Sequence, residues 1–161
     1  MTVPEYNRCV DSFSDGVYRF ILKNTCDDEA SKDIVQESFF RLWEKHESID
    51  FEKAKSYLFT TAYHFMIDEI RKNKHKAAFS NGLHSRSAED YQFSDLSRVL
   101  EDAVGKLPEI QRTVVMLRDY EGYSYKEIGN ITGLSEPQVK VYIYRARMTL
   151  KQYIGSMDVV I

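Results

Sequence analysis

Apolar residues recur at spacings of three and four along nearly the whole chain, and nowhere do they alternate over any length. That period belongs to amphipathic helices, so no sheet organises the fold. Tyr6, Val10, Phe13, Val17 and Phe20 predict a first helix, reaching about Asn24. Asp27 or Asp28 stands where it can cap a second, with Ile34, Val35, Phe39, Leu42 and Trp43 on one stripe. A third is expected from about Lys53 to Lys76, with Leu58, Thr61, Ala62 and Phe65 inward. Periodicity fails over residues 77–93, where Ser, Asn, Gly and Asp accumulate, as in a flexible linker. It resumes with Leu96, Val99, Leu100, Ala103 and Leu107. Pro108 suits the first turn of a further helix that turns Ile110, Val114 and Leu117 inward. The expected fold is all-α, with two small helical domains, residues 1–76 and 94–161, joined by the linker 77–93. Domains of that size commit much of their sequence to the core.

The end of the chain carries the sharpest local signal. Gly122 can take positive φ and stop a helix. Ser124 precedes Glu127 by three and Ser135 precedes Gln138 by three, which makes two capping boxes. Gly133 lies in the turn between them, and Gly129 is small where the two elements should approach. Pro137 falls in the first turn of the second helix, where its missing N–H costs little. Two capped helices joined by a short turn with Gly describe a helix-turn-helix. On a helical wheel Val139, Ile143, Ala146, Leu150 and Tyr153 cluster on one side. Lys140, Val141, Tyr144 and Arg145 cluster opposite, toward the N-terminal end. A helix in the major groove reads bases with its N-terminal half; Arg and Lys suit guanine acceptors, and an apolar group suits a thymine methyl. An isolated basic helix is more often a solvated face, and the paired capping boxes shift that balance toward DNA.

The formal net charge of −3 argues weakly against nucleic acid, but it averages an uneven distribution. Residues 27–52 are rich in Asp and Glu, whereas residues 71–76 and the segment Lys140–Lys151 are basic. Acidic and basic surfaces in different places suggest two kinds of partner. No apolar run approaches a membrane span and no signal-peptide pattern opens the chain, so an intracellular, cytoplasmic protein is expected. Cys9 and Cys26 form no CxxC pair and read as free thiols.

Residues 107–154 resemble region four of bacterial sigma factors. The likeness runs through Leu107-Pro108, Arg112, Gly122, Tyr125-Lys126-Glu127-Ile128, Gly133, Ser135, Val139-Lys140 and Arg145-Ala146-Arg147. DIVQESFFRLW, residues 33–43, resembles region 2.2, which holds core RNA polymerase; YLFTTAYHFMIDEIRK, residues 57–72, resembles regions 2.3 and 2.4, which melt and read the minus-ten element. With no long N-terminal extension and no middle domain, the layout is similar to the extracytoplasmic-function (ECF) sigma factors. The resemblance implies a protein that binds core RNA polymerase and promoter DNA and directs transcription initiation. It implies polymerase contacts at Asp33, Gln36, Glu37 and Phe40, with Arg41 beside them. It puts Tyr57, Tyr63, His64, Asp68, Arg71, Lys72 and Lys74 at the minus-ten surface, and a flipped-out base in the loop around His46–Lys55. Ser135, Gln138, Lys140, Val141, Tyr144 and Arg145 would face the minus-thirty-five element. ECF sigma factors are often held by an anti-sigma factor, sometimes membrane-anchored.

The residues themselves agree. Phe40 among polar groups has the character of a protein-binding hot spot. Cations and aromatics interleave on the third helix, where cations can hold phosphates and rings can stack on unpaired bases. Tyr57, Tyr63 and Phe65 suit the core equally well, and Asp68 and Arg71 can pair along the helix. His64 stands where many relatives carry Asn, Tyr57 where many carry Trp, and Val141-Tyr142 where Ser and Arg are common. These departures bear on promoter sequence, not on role. No phosphate loop, HExxH or nucleophile elbow occurs, and the four histidines are scattered, so no catalysis, metal, cofactor or small-molecule substrate is expected. The alternative is a stand-alone helix-turn-helix regulator, which would bind duplex operator without polymerase, usually as a dimer.

Overall fold

The computed structural model describes residues 1–77 and 95–156. The segment expected as linker, residues 77–93, lies outside them from residue 78 onward. The described residues are all-α, and the chain divides into two compact units, Met1–Ser87 and Ala88–Ile161. No helix among the described residues is long and apolar enough to cross a membrane.

In the first unit, α1 (Val3–Thr25), α2 (Asp28–Glu44) and α3 (Phe51–Ala77) pack together. Thr2 and Glu5 form a capping box at the start of α1. At its end Cys26 takes φ 55° and donates its N–H to the Leu22 carbonyl. Asp27 caps α2 by accepting the Ala30 N–H at 3.0 Å. These caps satisfy backbone groups that a helix end leaves without partners. The core takes Val17, Phe20 and Ile21 from α1, Ile34 and Leu42 from α2, and Leu58, Phe59 and Met66 from α3. The Phe20 and Phe59 rings meet at 5.6 Å and tie α1 to α3. Asn24, Ser31 and Ser38 are buried, and each donates to a carbonyl of its own neighbourhood, so burial leaves none unsatisfied.

The Tyr18 hydroxyl also donates to Asp28, which pairs with Lys32 at 3.0 Å. The Tyr18 hydrogen bond, then that of Lys32, holds the Asp28 carboxyl below its ordinary range. A carboxyl lowered by folding adds stability above its unfolded pKa and loses it as pH falls through the folded one. Asp28→Asn should therefore lower the melting temperature slightly near neutrality, change it least at low pH, and so flatten the acid limb of melting temperature against pH.

The second unit contains α4 (Asp95–Lys106), α5 (Glu109–Val115), α6 (Tyr125–Thr132) and α7 (Glu136–Ser156). Pro108 is the N-cap of α5, one residue outside the turn expected for it. Arg112 donates to the carbonyls of Gly105 and Leu107, which the end of α4 leaves exposed. α5 runs on into a π turn, Met116–Tyr120, whose Glu121 N–H bonds the Met116 carbonyl five residues back. Gly122 and Gly133 take φ of 75° and 80°. Both capping boxes form, Ser124 with Glu127 and Ser135 with Gln138. Val114, Leu117, Ile128, Ile131, Val139 and Ile143 fill the core between these helices.

Candidate protein and nucleic-acid interfaces

α2 presents a ridge between two grooves. Asp33 and Glu37 line the groove shared with α3, together with Glu29, Asp68, Glu69 and Lys72. Gln36 and Phe40 line the groove shared with α1, whose other walls include Tyr6, Val10, Val35, Phe39 and Trp43. The residues expected to meet a protein partner thus divide between an acidic flank and an apolar one. Phe40 is 53% exposed. Arg41 pairs with Glu37 at 3.1 Å and lies 3.9 Å from Glu44, so its charge is met within its own helix.

Trp43 corrects the expected core stripe, for it is 40% exposed. Leu42 already fills the interior at this level. Trp43 instead stacks on His46, with ring centroids 4.3 Å apart, and meets Tyr6 edge-on at 5.0 Å. A spacing of seven from Gln36 puts it on the same side of α2 as that residue, a signal the sequence did contain.

On α3, His64, Asp68, Arg71, Lys72 and Lys74 are exposed and Tyr57 is half-buried. Tyr57, His64, Asp68 and Arg71 follow at intervals of seven, four and three, hence on one side. Tyr63 corrects the minus-ten surface: it is 9% exposed, and Phe59 is fully buried. Both rings turn in beside Leu58, Ala62 and Met66, so the run of aromatics is not an exposed stacking platform. Lys72 lines the acidic groove toward α2, which leaves Arg71 and Lys74 as cations outside it. The loop expected around His46–Lys55 is shorter, residues 45–50, because α3 already begins at Phe51.

On α7, Val139, Ile143 and Ala146 are buried while Lys140, Val141, Tyr144 and Arg145 are exposed, Tyr144 to 66%. The wheel placed all seven on the sides they occupy. Leu150 and Tyr153 are only half-buried. Ser135 and Gln138 reach this end of α7, but their side-chain oxygens accept each other's backbone N–H at 3.3 and 2.9 Å. What they retain toward a ligand is the Ser135 hydroxyl proton and the Gln138 –NH2 group. Lys140 lies 5.5 Å from the Tyr125 ring centre and 3.9 Å from Glu136. Arg147 makes a bidentate pair with Asp119 of the π turn, 2.6 and 3.3 Å. Helical periodicity could not find Asp119. A continued α-helix turns it roughly 140° away from Val114, and the π turn is what changes that phase.

Residues 9–76 match the family Sigma-70 region 2, and residues 97–150 match Sigma-70, region 4. The chain is 31% identical over 144 residues to the ECF RNA polymerase sigma factor SigM of Bacillus subtilis (strain 168), covering 86% of this chain and 88% of the relative. It is 30% identical to SigW of the same organism over 164 residues, 92% of this chain and 88% of the relative. The fold is similar to that of the sigma factor RpoE from Bartonella quintana, solved in complex with the anti-sigma factor NepR. The TM-score is 0.80 at 22% identity, over 96% of this chain and 99% of the other. CnrH, solved with the cytosolic domain of CnrY, aligns with a TM-score of 0.65 at 20% identity, over 94% of this chain and 88% of the other.

Proposed function

The chain belongs to the ECF RNA polymerase sigma factors, and from that premise we propose how its two units share promoter recognition. A sigma factor binds core RNA polymerase and directs it to promoters, where transcription initiates, and this chain has that function. Residues 1–76 serve as the region 2 domain, residues 77–93 as the connection, and residues 94–161 as the region 4 domain. Polymerase docks on the α2 ridge through Asp33, Gln36, Glu37 and Phe40, with Trp43 extending the apolar flank. His64, Asp68 and Arg71 face the minus-ten element, with Tyr57 at their edge and Lys74 available to phosphate. The chain supplies no active site of its own and works in the cytoplasm. RpoE was solved with the anti-sigma factor NepR; by likeness, an anti-sigma factor holds this chain too.

One observation carries the region 4 assignment. A doubly capped helix-turn-helix buries Val139, Ile143 and Ala146 and offers Lys140, Val141, Tyr144 and Arg145 to solvent at the base-reading end. The decisive experiment adds the full chain to core polymerase and sequences transcript starts. New starts preceded by two shared sequence elements are the expected result. Their absence would overturn the reading and return attention to a stand-alone regulator. Arg145→Ala should cost about 1–3 kcal/mol of binding and relax preference at one position of the minus-thirty-five element. An equal loss on every sequence would make Arg145 a phosphate contact instead.

A further inference from the structure

Lys140, Arg147 and Lys151 repeat along α7 at intervals of seven and four. That spacing makes a basic column on one flank of the exposed Val141, Tyr144 and Met148. Cations beside a base-reading face are placed for phosphates, which position a protein without reading sequence. The middle cation of the column is engaged. Arg147 Nη2 donates to Asp119 Oδ1 at 2.6 Å and Nε donates to Oδ2 at 3.3 Å.

We propose that Asp119 withholds Arg147 from DNA and so limits the sequence-independent part of the chain's affinity. The inference rests on the reading that the exposed face of α7 meets duplex DNA. The bidentate fork Arg147 gives to Asp119 is the one a guanidinium would give to a phosphate, so the same donors cannot serve both. The side chains of the pair are 49% and 39% exposed, so solvent screens much of its charge and its share in folding is modest. Asp119 is carried by the π turn, so its direction differs from the one a continued α5 would give it. Each phosphate contact strengthens binding to all sequences alike. A protein that must find promoters among bulk DNA gains selectivity by keeping one such cation occupied.

The test measures binding of the full chain to fluorescent random-sequence duplex across a salt series. Asp119→Asn should steepen the slope of log K against log salt by about 0.9 and tighten binding at low salt. Asp119→Glu, which keeps the charge, should retain the wild-type slope. Arg147→Ala alone should leave the slope unchanged, and adding it to Asp119→Asn should restore the wild-type value. An unaltered slope in Asp119→Asn overturns the proposal. So does a slope shallower by about 0.9 in Arg147→Ala alone, since Arg147 would already contact phosphate. Lys140→Ala with Lys151→Ala tests the underlying reading separately. It should make the slope shallower by about two such steps. No change there, or no binding by any variant at the lowest salt, removes α7 from DNA and the proposal with it.

Discussion

Phe40→Ala is expected to weaken binding to core RNA polymerase by at least about 2 kcal/mol, roughly thirtyfold, while leaving the fold intact. The two halves of that expectation have separate causes. Phe40 stands 53% exposed on α2, so little packing is lost when its ring is removed. It also lines an apolar groove walled by Val10, Val35, Phe39 and Trp43, and aromatic anchors beside such grooves dominate protein interfaces when a partner desolvates them. Trp43→Ala should weaken binding as well, with some loss of stability. Its stack on His46 and edge contact with Tyr6 contribute about 0.5–1.5 kcal/mol within the free chain. The measurement is a titration of labelled chain with core polymerase beside a thermal melt of each variant. Binding within twofold of wild type for Phe40→Ala would place the polymerase contact elsewhere.

The fold was legible where one rule governed each residue. Apolar period and caps gave the helices, because burial on one stripe and satisfaction of end groups are local demands. The exposed face of α7 was legible for the same reason, since its core side was marked unambiguously by Val139, Ile143 and Ala146. Trp43 and Tyr63 were misplaced because a large ring suits either side of a helix until its neighbours are known. Leu42 occupies the interior that Trp43 would have taken, and Tyr63 fills space beside Ala62. Ser135 and Gln138 were assigned to DNA without subtracting the hydrogen bonds that their capping box consumes. Asp119 left no trace in the sequence pattern. Its position depends on a π turn, which breaks the period on which the pattern rests.

Gly129→Ala should damage promoter binding more than removal of any single base contact. Taken locally the substitution is favourable, since alanine stabilises a helix interior by about 1 kcal/mol over glycine. The surroundings reverse the sign. A Cβ at position 129 would lie 2.8 Å from the Leu134 carbonyl oxygen, which is backbone and cannot rotate away. That turn is held on either side: the Gly133 N–H bonds the Gly129 carbonyl at 2.8 Å, and the Leu134 N–H bonds Thr132 Oγ1 at 3.3 Å. Relief requires the turn to move, at an overpacking cost of about 1–3 kcal/mol. Leu134 directly precedes Ser135, the cap of α7, so movement of the turn tilts the α7 face proposed to read bases. Base contacts are worth about 1–3 kcal/mol each, and a tilt loosens several at once, so a loss of about 2–6 kcal/mol is expected at the minus-thirty-five element. Gly155→Ala is the control. Among the described residues no atom beyond its own stretch of helix lies within 4 Å of its added Cβ, so it should keep promoter binding and hold or raise the melting temperature. Equal stability and equal binding for Gly129→Ala would mean that the turn yields without moving α7.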